Sequence, residues 1–100
     1  MLELPPSADP LIGQTVAERF VIERQIGEGG MGTVYLARQE PVGRLVALKV
    51  LLPELVADRR KMGRFINEAR ILGGLRHPHT VRLVDFGHLP GGQLFIAMEY

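Results

Sequence analysis

Two charged side chains stand where charge is costly, with a run of glycines upstream of both. Lys49 sits inside Val46-Ala-Leu-Lys-Val-Leu-Leu52, the most apolar stretch of the chain. Side chains alternate faces along an extended strand, so Lys49 shares a face with Ala47 and Leu51. An ammonium there needs a partner or a route to solvent. Ten of the twelve basic residues are arginines, so a lysine at this position stands out from the surface composition. Glu68 follows Phe65 by three residues and precedes Leu72 by four, on or beside the buried stripe of a helix. Each has an ordinary reading alone: a snorkelling edge-strand lysine, and a helix-edge acid paired with Arg64 or solvent. An ion pair between them satisfies both. It would also hold an ammonium beneath the glycines, ready for phosphate oxygens.

The glycines form Gly27-Glu-Gly-Gly-Met-Gly-Thr-Val34, which fits G-x-G-x-x-G-x-V. Glycine lets a backbone approach phosphate oxygens closely and adopt positive φ without a Cβ penalty. By itself the pattern also fits a plain glycine-rich hairpin turn. A dinucleotide-binding turn requires a helix opening at the third glycine. Thr33-Val-Tyr-Leu-Ala37 is β-branched and aromatic, so a strand follows instead. A Walker A loop requires Lys-Ser or Lys-Thr after the last glycine, and Thr33 comes with no lysine.

The elements that must position these residues are legible in outline. Phe20–Ile26 and Thr33–Ala37 read as strands joined by the glycine turn, and Gln39–Arg44 as the next turn. Leu45–Leu52 is a third strand, stopped by Pro53. Asp58–Leu72 is the one long helix, with Asp58 as N-cap and Gly73-Gly74 as its end. Met62, Phe65, Ile66, Ala69 and Leu72 recur at helical spacing and are expected in the core. Strands over about Thr80–Phe86 and Gln93–Tyr100 flank a turn at Pro90-Gly91-Gly92. The fold class is α+β: a five-stranded antiparallel sheet with one packed helix.

Composition narrows the field. The chain has 100 residues, 46% hydrophobic and 23% charged, with a net charge of +1, so nucleic-acid binding is not expected. There is no cysteine, which excludes disulfides, zinc ribbons and thiol nucleophiles. No apolar run reaches the roughly 18–20 residues of a membrane span. The first ten residues are acidic and proline-rich rather than signal-like. The cytoplasm is the default compartment. Residues 1–16 read as a flexible N-terminal arm and lead-in.

Taken together, the motifs resemble the N-terminal lobe of a protein kinase, in the style of bacterial eukaryotic-like Ser/Thr kinases. The resemblance rests on Gly27–Tyr35, Val46-Ala-Leu-Lys49, Arg64-Phe-Ile-Asn-Glu-Ala-Arg70, Leu75-Arg-His-Pro78 and Met98-Glu-Tyr100. It makes residues 17–100 the lobe. It implies that Gly27, Glu28, Gly29, Gly30, Met31 and Gly32 form a flap over the phosphates of ATP. It further implies that Val34 and Ala47 press on adenine, with Ile26 closing the pocket mouth. Lys49 would hold the α- and β-phosphates, anchored by Glu68. Met98 would be the gatekeeper, and the Glu99 carbonyl would accept from the adenine amino group. Leu72 and Leu83 would join the hydrophobic column that links the lobes of an active kinase.

The implied activity is transfer of the ATP γ-phosphoryl group to Ser or Thr of protein substrates. The catalytic loop and the Mg²⁺ ligands are then expected in a second lobe beyond Tyr100, and no metal site within these residues. The lobe alone is expected to be inactive. The rival reading is a truncated, non-catalytic nucleotide-binding or kinase-interaction module. Asp85-Phe86-Gly87 spells the kinase metal motif, but no catalytic loop precedes it, so it reads as a strand ending in a turn at Gly87. His77, His79 and His88 lack metal-ligand spacing. Arg59-Arg60-Lys61 reads as a solvated helix start.

Overall fold

The computed structural model describes residues 9–29, 31–74 and 82–100. Six strands form one sheet: β1 Thr15–Val16, β2 Phe20–Glu28, β3 Gly32–Gln39, β4 Arg44–Leu51, β5 Leu83–His88 and β6 Leu94–Glu99. The spatial order is β1-β2-β3-β4-β6-β5, and every neighbouring pair is antiparallel. A single long helix, α1 Arg59–Gly74, connects β4 to β5, and β6 then fills the gap between those two strands.

The five expected strands are present, and β1 is an addition to them. It pairs Thr15 with Val21 and Val16 with Phe20 across a turn whose central residues, Ala17 and Glu18, have φ of +50° and +62°. Two left-handed residues are what a tight primed hairpin turn needs, and Asn-Gly is its usual sequence. Ala-Glu carries no such signature, so this hairpin is not visible in the sequence. The turn after β3 behaves as expected: Gly43 sits at φ +76° and donates to the Gln39 carbonyl at 2.7 Å.

Alternation along β4 separates two cores. Val46, Leu48 and Val50 are buried on one face with Phe20, Ile22, Tyr35, Ala37, Phe95 and Ala97. Phe20 and Phe95 meet edge to face, with centroids 5.9 Å apart. Leu51 lies on the other face with Ile96, Phe65 and Ala69, where α1 packs.

The helix begins as its sequence dictates. The Asp58 carboxylate accepts the Lys61 amide at 3.1 Å, and the Asp58 carbonyl accepts from Met62 at 2.9 Å. Phe65 and Ala69 are its buried residues, with Met62 and Leu72 partly buried along the same stripe. Ile66, expected in the core, is instead 37% exposed. It sits about 100° around the helix from Phe65, at the rim of the stripe. Arg59 and Arg60 are exposed, as a solvated start requires.

Two other expectations are corrected or fall outside the described residues. β5 runs through Asp85-Phe86-Gly87 to His88, so Gly87 lies in the strand and the turn comes later. A Cβ at Gly87 would stand 3.0 Å from the Phe95 ring, which explains a glycine inside a strand. Asp85 is ion-paired with Arg19, and His88 is exposed on the strand. Gly30, Leu75–Pro78, His79 and the start of the strand expected from Thr80 lie outside the described residues.

Candidate functional site: a lysine–glutamate pair beneath a glycine turn

The site is assembled by strand register. Residues directly opposite in antiparallel strands point to the same face. Val34 pairs with Lys49, Lys49 with Ile96, Leu36 with Ala47, and Ala47 with Met98. Val34, Ala47, Lys49 and Met98 therefore share one face, the face that α1 covers in part. Glu99 continues β6 opposite Val46, and its amide donates to the Arg82 carbonyl at 3.0 Å.

Lys49 Nζ donates to Glu68 Oε1 at 2.9 Å, joining β4 to α1 across 19 positions of sequence. The lysine side chain is 19% exposed and the glutamate side chain 37%. A pair this open to water contributes at most about 1 kcal/mol to stability. Its chief effect is geometric: it sets where the ammonium stands. The Phe65 ring lies 5.8 Å from Nζ, one helical turn before Glu68, and supports the charge from below. Helical spacing predicts Phe65 in the core but not this second contact. Its signal was the three-residue spacing to Glu68.

The glycine turn is held at its return end. A Cβ on Gly32 would lie 2.6 Å from the Val50 carbonyl oxygen and 3.4 Å from the Lys49 Cγ, so β3 starts against β4 only with glycine there. Gly29 donates to the Gly32 carbonyl at 2.8 Å, and the Met31 carbonyl accepts from Leu52 at 2.9 Å. Met31 packs on the helix-side core. Gly27 and Gly29 differ from Gly32: the nearest atoms to an added Cβ are 3.8 and 4.0 Å away. Their backbone is open to an approaching group. Ile26 is half-buried beside the register shift between Gln25 and Gly27, and Glu28 is exposed opposite Thr33. Leu72 and Leu83 both pack against the helix-side core.

Chemically, the arrangement presents one fixed ammonium and accessible glycine backbone on the same side of a sheet, next to an apolar strip. It suits a ligand with an anionic end and a flat apolar end.

The chain belongs to the protein kinase family: the protein kinase domain model matches residues 20–100. It is 45% identical over 95 residues to the serine/threonine-protein kinase pkn3 of Myxococcus xanthus, covering 95% of this chain and 17% of that protein. It is 44% identical over 93 residues to the serine/threonine-protein kinase PknJ of Mycobacterium tuberculosis, covering 93% of this chain and 16% of that one. Among solved structures it superposes on the Mycobacterium tuberculosis PknI kinase domain with a TM-score of 0.69 at 39% identity. That match covers 88% of this chain and 35% of the other. The chain thus spans about a sixth of the length of these curated relatives.

Proposed function

We propose that this chain is the ATP-binding lobe of a Ser/Thr protein kinase. The enzyme would move the γ-phosphoryl group of ATP to a Ser or Thr hydroxyl of a protein, breaking the bond to ADP and forming one to the hydroxyl oxygen. The observation that carries this reading is Lys49 Nζ held 2.9 Å from Glu68 beside the glycine turn. Lys49 takes the α- and β-phosphates, and Glu68 keeps it from swinging into solvent. Gly27 and Gly29, with room where a side chain would stand, let the backbone from Gly27 to Gly32 cover the phosphates. Ile26, Val34 and Ala47 contact adenine, Met98 limits the depth of its pocket, and the Glu99 carbonyl accepts from its amino group.

A Mg²⁺ ion carried with ATP would take its protein ligands from the second lobe, which also supplies the catalytic base. The substrate class, Ser/Thr of proteins, is that of the similar serine/threonine-protein kinases.

Radiolabelled phosphate transfer by the full-length protein tests this. Lys49→Met is expected to lower transfer roughly 10²–10³-fold, as loss of a charge-stabilising donor does. Glu68→Ala should cost on the order of 10²-fold through misplacement of the ammonium. Full activity in both variants would overturn the assignment.

A further inference from the structure

The segment before β2 is tied into the sheet on the face away from Lys49. Asp9 opens a tight turn: its carboxylate accepts the Leu11 amide at 2.9 Å, and its carbonyl accepts from Ile12 at 3.0 Å. Gly13 then donates to the Ile22 carbonyl at 2.7 Å, and Ile22 returns a bond to the Gln14 carbonyl at 2.9 Å. These bonds extend the β1–β2 ladder backward. Leu11 packs on the apolar core of that face.

One contact from this strap reaches further. The Tyr35 hydroxyl donates to the Asp9 carboxylate, across 26 positions of sequence. Tyr35 belongs to β3, two strands away from β1, so Asp9 spans β2 to reach it. β2 and β3 are the two strands that carry the glycine turn. Tyr35 follows Val34 directly on β3. Burial and the Asp9 carboxylate both push the phenol's pKa up, so Tyr35 stays a donor at neutral pH.

The strap does not lie flush on the sheet. A cavity of about 510 Å³ opens between them, with Asp9, Pro10 and Leu11 on one side and Gln25, Thr33 and Tyr35 among those on the other. The β3–β4 ladder holds the ribbon along one edge, and the strap adds a tie on its face. The Asp9–Tyr35 bond bridges the gap.

We propose that Asp9 is a positioning residue for the glycine turn: it pins Tyr35 and so sets where the β2–β3 ribbon holds Gly27–Gly32 relative to Lys49. Its effect on nucleotide binding rests on the function proposed above; its effect on the ribbon does not.

The test uses the full-length protein with Asp9→Ala, Tyr35→Phe and the double variant. Backbone amide exchange is measured without nucleotide, and KM for ATP and kcat are measured separately. Amides over residues 27–36 are expected to exchange roughly tenfold faster in either single variant, with β5 and β6 unchanged. KM for ATP should rise several-fold with kcat within about twofold. The double variant should be no worse than either single one, because both remove the same bond. Asp9→Asn keeps an acceptor and should restore most of both readouts. Unchanged exchange over 27–36, equal acceleration in β5 and β6, or additive single variants would overturn the proposal. If exchange responds as stated but no form of the protein binds ATP, the pin stands and the nucleotide reading falls.

Discussion

The two faces of the sheet are cut from the same strands, yet they are built to different standards of closure. On the strap side, eleven buried residues form one cluster, and Val46, Leu48 and Val50 are between 0% and 2% exposed. On the helix side, four buried residues form the cluster, and its charged pair remains partly wet. One step along β4 moves from Leu48, fully buried, to Lys49, whose side chain is 19% exposed. The strap face backs the ribbon with a packed core, except at the gap beneath the strap. The open face leaves an ammonium and a glycine backbone reachable by solute. The difference follows from the charge: an ammonium on the helix side is accommodated by an ion pair left partly in water rather than by full burial.

The largest expected effect tests the closed face. Phe20 is fully buried there and stacks edge to face on Phe95. Phe20→Ala should destabilise the full-length protein by about 3–5 kcal/mol, read as a fall in the denaturant midpoint. ATP affinity per folded molecule should change little. Loss of affinity without loss of stability would break the division between the faces. The converse applies to Lys49→Met, already expected to cripple transfer. Its stability should move by no more than about 1 kcal/mol, since the pair is partly solvated. A collapse of the melting temperature would make the pair a structural strut.

An alkaline titration sharpens the comparison where strap and sheet meet. The Tyr35 phenol is pushed above its usual value of 10.0 by burial and then by Asp9. A folded pKa raised above the unfolded one contributes stability below the unfolded value and loses it as pH rises toward the folded value. The stability gap between wild type and Tyr35→Phe should therefore stay level from pH 7 to about 10 and shrink above it. Denaturant midpoints from pH 8 to 11.5 read this directly. A gap that stays level throughout would mean the hydroxyl is not held against the carboxylate.

Much of the site was legible because its residues violate local expectation. Lys49 in an apolar strand and Glu68 beside an apolar stripe each asked for a partner, and the structure pairs them. The glycine turn was legible as a hairpin because β-branched residues follow Gly32 at once. The strap was not legible. Its hairpin uses Ala17-Glu18, a pair with no turn signature, and its pin joins Asp9 to a residue 26 positions away. Nothing in local spacing links an acid in a proline-rich leader to a tyrosine in a strand. Gly32 and Gly87 were legible as glycines but not as packing requirements, because the atoms they avoid belong to Val50 and Phe95 on other strands.

The smallest expected effect concerns the helix that covers the open face. Helical spacing alone put Ile66 with Phe65 and Ala69, since 62, 65, 66, 69 and 72 all fall within one broad stripe. The sheet beneath is narrower than that stripe: Leu51 and Ile96 receive Phe65 and Ala69, and Ile66 is left 37% exposed at its rim. Ile66→Ala trades partial burial for better helix propensity, so the two terms nearly cancel. The denaturant midpoint should correspond to a change within about 0.5–1 kcal/mol. Ala69→Leu, one turn on, should cost more, about 1–3 kcal/mol, because a 4% exposed site has no room for three more carbons. If Ile66→Ala proves as costly as a core truncation, something covers that rim in the full-length protein, and the open face is less open than its own strands make it.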